Sequence, residues 1–486
     1  MLFNSIEFAV FFPTVVILYF LLPHRFRWIL LLAASCFFYA SFIPKYILIL
    51  AFTIVIDYFA GLWIEKAEGP RRRLFLTLSV VSNLGILAVF KYYNFFIENL
   101  HPIFHDLPFL KWALPIGLSF HTFQAMSYTI EVYRGNQTAE RHFGIYALYV
   151  MFFPQLVAGP IERPQNLLHQ FHERKYFNYA DVTGGLKLMA WGFFKKLVIA
   201  DKLAIFVDPV LNHPHQQTPL TLLIAIFFFS FQIYCDFSGY SDIALGSARV
   251  MGFKLMVNFN QPFRSRNITE FWRRWHISLS TWFNDYLFAP LAIRFRYLGK
   301  WSVVLAIFIT FFLSGLWHGA AWTYVLFGVL HGITCIYEFL TKKFRRRLAD
   351  RLPSWLYING SVLLTYGYVV FTWIFFRATS MSDAFYITRM MPAGFKALGS
   401  SIAARRWQIT DGLWDLFPAP VYMYLPLCFF LIGAFIWMDR VRYNPRYLQR
   451  IMERPVYFRL SLYSLFLLSI ALLGTFDSRT FIYFQF

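Results

Sequence analysis

Apolar stretches long enough to cross a lipid bilayer recur along this chain, and they dictate what it can fold into. Runs at about residues 5–22, 27–42, 46–63 and 75–96 open the sequence, separated by the breaks PHRFR, IPKY and EKAEGPRRR. Each approaches the ~20 residues that an α-helix needs to span the hydrocarbon core. Inside a bilayer every backbone polar group needs a partner within the protein, which leaves helices and closed barrels. Barrel strands alternate apolar and polar over roughly ten residues, whereas these runs are continuous. The expectation is an all-α polytopic membrane protein of roughly 11 to 13 membrane helices, with re-entrant or interfacial helices besides. Of the 486 residues 58% are hydrophobic and 14% charged, too little polar surface for a water-soluble globule.

The formal charge of +20 would suit nucleic acid only if it lined one soluble face. Lysine and arginine instead fall in short stretches between apolar runs and act as topology signals. With Arg25, Arg27 and Arg71, Arg72 and Arg73 on the cytoplasmic side, the first loops alternate as required. KKFRRRLADR (342–351) and DRVRYNPRYLQRIMERP (439–455) are then cytoplasmic as well. Segment 378–420, the terminal FDSRTFIYFQF and both termini are expected on the outer face. The N-terminal stretch lacks a basic region and a small-residue cleavage signal, so it reads as a first membrane helix. Cys36, Cys235, Cys335 and Cys428 show no CxxC or CxH spacing, and neither a disulfide framework nor a metal site is expected.

The middle of the chain is less regular. Residues 236–300 are too polar for helices facing lipid, and such backbone is tolerated at membrane depth only when buried in protein or lining a cavity. Within the apolar run FFLSGLWHGAAWTYVLFGVLHG (311–332), His318 sits among Ser314, Gly315, Gly319, Ala320 and Ala321, small residues that let helices or a substrate chain approach closely. An ionisable group in such a segment either locks packing through a hydrogen bond or marks a functional site. His331, thirteen residues further along the same helix and so about 20 Å away, is expected not to share a site with His318 and is assigned to packing or to the cytoplasmic end. His276 is the better partner. Asn267 and Glu270 resemble a capping box. A helix beginning there carries Phe271, Trp275, Leu279, Trp282 and Tyr286 on one stripe and Trp272, His276 and Phe283 on the next. Upstream, Asp236 and Asp242 frame Ser238, Gly239, Tyr240 and Ser241, polarity that needs partners, water or a polar substrate.

Taken together, DFSGYSDIALG, NFNQPFRS, WRRWHISLSTWF and GLWHGAAW resemble the membrane-bound O-acyltransferase superfamily, in its bacterial branch of alginate O-acetyltransferase membrane subunits. LPIGLSFHTFQAMSYTIEVYRG (114–135), FFPQLVAGPIERP (152–164) and the terminal FIYFQF resemble it too, so the likeness covers nearly the whole chain. His121 departs from it, standing where an aromatic ring is expected. The resemblance implies a single domain over residues 1–486, with N-terminal helices (1–110), a catalytic core (111–340) and C-terminal helices (341–486). It implies a ring of helices around a thin centre with an outward funnel, in a bacterial inner membrane. It also implies that His318 is the catalytic histidine and His276 the second signature histidine.

Acyl transfer needs a base for the nucleophile and donors for the oxyanion. On this reading His318 is the base or a transient acyl carrier, and His276 holds the donor thioester or polarises its carbonyl. Asp236, Tyr240, Asn260 and Trp317 are candidates for the groove. Arg264, Arg273 and Arg274 either meet the phosphates of acetyl-CoA, the expected donor, or snorkel to lipid headgroups. No tightly bound cofactor is expected. The acceptor is expected to be a hydroxyl of an exported, alginate-like polysaccharide or a periplasmic acetyltransferase partner. Two rivals remain open at this point: a polysaccharide-precursor transporter or flippase, and a non-catalytic scaffold of an envelope export complex.

Overall fold

In the computed structural model, which describes residues 1–101, 103, 107–111, 114–404, 421–476, 481 and 482, the chain is built from helices and their connections, without a strand among those residues. By length and composition, eight of the described helices can cross a membrane: Pro44–Lys66, Gly69–Leu100, Pro219–Val250, Lys300–His318, Trp322–Leu340, Ser354–Arg377, Tyr424–Arg442 and Val456–Leu473. A shorter apolar helix, Ile6–Leu21, precedes them. The chain is an all-α, multi-pass membrane protein. Residues 405–420 of the expected outer segment, and 477–480 and 483–486 of the C-terminal stretch, lie outside the described residues.

The centre is the 32-residue helix Pro219–Val250, whose apolar window is 89% buried, against none for the rim helix Val456–Leu473. A helix that is apolar all round belongs inside, and this one carries the polar DFSGYSD stretch inward rather than into lipid. Its partner is the continuous run Tyr179–Phe193, a π segment at Phe194–Ala200, and Asp201–Asn212. Glycines two turns apart on each helix let the backbones touch. A Cβ on Gly192 would lie 2.6 Å from the Gly239 carbonyl oxygen, and one on Gly246 would lie 2.6 Å from that of Gly185. The charges then meet in pairs, Lys195 with Asp242 at 2.8 Å and Lys196 with Asp236 and Asp201 at 2.7 and 2.9 Å.

Two expectations about helices are corrected. The apolar run 311–332 is not one helix but the bend of a hairpin, Lys300–His318 followed by Trp322–Leu340. Nor is 267–286 a single amphipathic helix: it breaks into Ile268–Trp272 and Ile277–Phe283, with His276 between them in left-handed geometry (φ 45°, ψ 55°). Both breaks are made by tertiary contacts, described below, that outweigh an otherwise helical local sequence.

Basic loops gather at one end of the bundle. Arg27 donates to the Lys175 carbonyl (2.5 Å) and Arg72 to that of Val132 (3.2 Å). Arg141 pairs with Glu65, and His172 with Glu140 at 2.7 Å. Arg134 and Arg163 converge on Asp285, at its carbonyl (2.9 Å) and its carboxylate (3.2 Å). The helix beginning at Lys300 leaves the segment that follows Asp285 and runs for 19 residues, about 28 Å. His318 therefore lies at the hairpin tip, far from the basic end.

Candidate acyl-transfer site

The hairpin fixes where His318 sits. Its two helices cross at glycine: a Cβ on Gly315 would lie 2.4 Å from the Tyr324 carbonyl oxygen, and one on Gly328 would lie 2.3 Å from that of Phe311. A Cβ on Gly319 would strike the Tyr324 ring at 2.2 Å. The small residues around His318 thus serve helix–helix contact, and the imidazole is buried, only 3% exposed. Its ring lies edge-on to Trp317, Phe376 and Phe327, with centroids 5.1, 5.4 and 5.9 Å away.

Folding back also brings His331 one ring away from His318, since Phe327 touches both, 4.7 Å from His331. The separation expected from a single helix is therefore corrected, while the packing assignment of His331 has a specific basis. Trp272 Nε1 donates to His331 Nδ1 (3.2 Å), and Thr372 Oγ1, whose own proton goes to the Val369 carbonyl (2.8 Å), lies 3.0 Å from Nε2. Nδ1 accepts and Nε2–H donates, so the ring is a neutral imidazole with both nitrogens used.

His276 is completely buried. Its turn is held by a loop on the other side of the break. Asn258 accepts the Ile277 N–H at its carbonyl (3.0 Å), and its side-chain oxygen takes the Ser278 N–H (3.2 Å) and hydroxyl (2.7 Å). Asn258 thus supplies in trans the cap that His276 cannot provide to the helix starting at Ile277. Ser278 Oγ in turn receives the Ile161 N–H at 3.0 Å. The Asn267 cap expected from sequence is present, its Oδ1 accepting the Glu270 N–H at 2.8 Å.

Trp317 is the ring common to both histidines, 6.0 Å from His276 and 5.1 Å from His318. Phe120 and Phe237 complete the box around His276 at 6.0 and 4.7 Å. From Trp317 a row of rings leads toward the basic end: Phe123 at 5.6 Å, Trp282 stacked on it at 3.8 Å, then Tyr286 at 5.1 Å. Tyr286 lines a cleft of about 830 Å³ with Arg134, Arg163, Arg294, Glu131 and Asp285. Arg134 and Arg163 each lie 4.9 Å from its ring centroid. At the other end of the row is a cavity of about 40 Å³ lined by Trp317, His318, Lys91, Phe120, Ser119 and the 114–118 turn.

Of the other residues singled out from sequence, Trp317 alone lines this cavity. Asp236 pairs with Lys196 and accepts the Ile482 N–H at 2.7 Å. Tyr240 stacks between Phe3 (4.5 Å) and Phe481 (4.9 Å). Asn260 is exposed, its backbone paired with that of Arg274 at 2.9 Å. Arg264 donates to Gln261 (3.1 Å), Arg274 pairs with Glu270 (2.9 Å), and Arg273 is exposed. His121 is buried one residue past the cavity wall at Phe120. Sequence reasoning missed Lys91, Asn258 and the Phe123–Trp282 stack. The first resembled any cation at the end of an apolar run, and the others carry no local signal.

An all-helical, multi-pass membrane protein that buries an imidazole beside a small cavity, at the end of an aromatic row leading from an arginine-lined cleft, has the layout of a membrane enzyme. The chain matches the model of MBOAT, the membrane-bound O-acyltransferase family, over residues 80–380, and it belongs to that family. It is an O-acyltransferase. It is similar to a probable alginate O-acetylase of Pseudomonas aeruginosa, 39% identical over 85% of this chain and 76% of the relative. A peptidoglycan O-acetyltransferase of Helicobacter pylori is 34% identical over 74% and 73%. A teichoic acid D-alanyltransferase of Bacillus subtilis is 30% identical over 54% and 68%. The transporter and scaffold readings of the sequence fall with this assignment.

Proposed function

We propose that this enzyme moves an acetyl group from a cytoplasmic thioester, acetyl-CoA, to a hydroxyl of an exported, alginate-like polysaccharide or to a periplasmic acetyltransferase that completes the transfer. The bacterial inner membrane is the proposed location, with the basic end cytoplasmic and the termini outside. The observation that carries the reading is the cavity at His318. At about 40 Å³ it is on the scale of one or two water molecules, which suits a small acyl group and is far short of a fatty acyl chain.

His318 acts as general base toward the acceptor hydroxyl, or takes the acetyl group first if transfer runs in two steps. Neutral imidazole suits either role near neutral pH. His276, behind Trp317, positions the donor carbonyl. The arginine-lined cleft suits the phosphates of the donor better than Arg264, Arg273 and Arg274 do, because Arg134, Arg163 and Arg294 converge on one concave surface.

The test is transfer of labelled acetyl from acetyl-CoA by the protein in proteoliposomes, with an oligouronate acceptor and then with candidate periplasmic partners. Label on acceptor or protein that is lost in His318→Ala, at matched folding, is the expected result. Absence of label under every condition, or label unchanged in His318→Ala, overturns the reading.

A further inference from the structure

Lys91 is a buried amine beside the candidate catalytic imidazole, with no carboxylate partner among the described residues. It belongs to the π segment Ala88–Tyr92 of the helix Gly69–Leu100, where the extra residue in the turn sends Lys91 and Tyr92 together toward the hairpin tip. Nζ donates to the carbonyl oxygens of Trp317 (2.6 Å) and His318 (3.2 Å), and Tyr92 Oη donates to that of Leu316 (2.8 Å). The last carbonyls of the His318 helix, its negative end, are thereby capped by a charge and a hydroxyl from another helix.

Two of the three ammonium hydrogens are spent in this way. The third faces Ser119 Oγ at 3.5 Å, the outer limit of a hydrogen bond, across the cavity that Lys91, Ser119 and His318 line together. Among the described residues Lys91 forms no ion pair with a carboxylate. An intramembrane amine held by two carbonyls, a distant hydroxyl and the Trp317 ring at 5.8 Å, rather than by a carboxylate, is costly and marks a functional site.

We propose that Lys91 stabilises the oxyanion of acyl transfer, its third N–H and its charge facing the acyl carbonyl oxygen in the cavity next to His318. This rests on the acyl-transfer reading above. As the acceptor oxygen bonds the thioester carbonyl carbon, its proton passes to His318 and the carbonyl π pair moves onto the oxygen, where Lys91 meets the charge. Collapse breaks the C–S bond, and the departing thiolate takes the proton back from His318. A donor fixed in place before charge develops accelerates such a step because nothing must reorganise.

The test follows carbethoxylation of His318 by diethyl pyrocarbonate, a reaction through the same kind of tetrahedral oxyanion that needs neither natural donor nor acceptor. Ethyl hydrogen carbonate leaves with the imidazole proton. The full-length protein in detergent is quenched over time, and peptide mass spectrometry compares His318 with the exposed His169. Lys91→Met is expected to slow His318 labelling by about 100-fold. Lys91→Gln, which can still donate to the Trp317 and His318 carbonyls, is expected to slow it comparably, and Lys91→Arg to retain most of the rate. Tyr92→Phe, which removes only the Leu316 cap, is expected to label as wild type. An unchanged rate in Lys91→Met and Lys91→Gln overturns the proposal, as does equal slowing in Tyr92→Phe, which would reduce Lys91 to holding the helix end. An unreactive His318 in the wild type overturns it as well, because no acyl carbonyl then reaches the cavity. Acetyl transfer from acetyl-CoA, assayed in parallel, separates the two claims: its absence with Lys91-dependent labelling sinks the donor reading and leaves the role of Lys91 standing.

Discussion

The backbones of Gly315 and Gly328 press together at the crossing of the hairpin, so that a Cβ on Gly315 would come within 3.1 Å of the Gly328 Cα. Everything the site needs from His318 hangs on that contact, because the imidazole lies one turn beyond Gly315 on the same helix. Gly328→Ala puts a methyl 2.3 Å from the Phe311 carbonyl oxygen, backbone that cannot rotate aside. Overpacking of this kind costs roughly 1–3 kcal/mol. A lower melting temperature in detergent, together with a fall in acetyl transfer per folded molecule, is expected. Wild-type stability in this variant would mean that the hairpin is looser than the structure shows.

Asn258→Ala tests the turn at His276 without touching the ring. The substitution removes the acceptor of the Ser278 N–H and hydroxyl, a cap whose loss costs roughly 0.5–2 kcal/mol. It also frees a residue held at positive φ, a geometry that non-glycine residues keep only when neighbours enforce it. Transfer should fall by at least about tenfold if His276 must be held within a narrow geometry, with the protein still folded by size-exclusion chromatography. Asn258→Asp, which keeps the acceptor oxygen, should restore most of the loss.

How much of this was legible beforehand depended on whether the signal was local. The bilayer class followed from continuous apolar runs, and the Asn267 cap followed from two residues three apart. The pairing of His276 with His318 came from the polar, helix-patterned stretch around His276 and then from motif resemblance, and the structure gives them a shared wall in Trp317. The break at His276 was hidden because its cap sits 18 residues upstream at Asn258, and the intervening sequence carries a good helical stripe. The bend after His318 was hidden for a related reason: Gly319, Ala320 and Ala321 continue an apolar run without proline or charge. Lys91 was invisible because only a π turn, set by packing, aims it at carbonyls more than 220 residues away.

His331 separates a structural imidazole from the one proposed to be catalytic. His331→Leu preserves bulk but strands the Trp272 indole N–H in a buried site, a loss on the order of 1–3 kcal/mol. A drop in thermal stability is expected, while transfer by the folded fraction stays within severalfold of wild type. His318→Ala should do the opposite, leaving the melt near wild type and abolishing transfer. If His331→Leu were stable and inactive, the neutral, fully bonded ring would have to take part in chemistry, against its hydrogen-bond pattern.

Glu162 gives the fold a dependence on pH. Its side chain is fully buried, accepting from the Met256 N–H and the Asn166 amide, both at 2.5 Å. Burial pushes its carboxyl up from the ordinary value to about 7. Below pH ~4.5 the carboxyl is protonated in folded and unfolded chains alike, and it imposes no penalty. Between there and pH 7 the unfolded chain releases its proton while the folded one keeps it, so stability falls as pH rises and levels off above 7. The span corresponds to a loss on the order of 3 kcal/mol. In Glu162→Gln the Asn166 amide can turn to present its oxygen, the neutral side chain keeps both contacts, and this slope disappears. Thermal melts of wild type and variant at pH 5, 6, 7 and 8 check it: the curves should approach each other at acid pH and diverge toward neutrality, with the variant the more stable. Parallel curves would mean that the carboxyl ionises in the folded protein at its ordinary pH, held by charges that its observed partners do not supply.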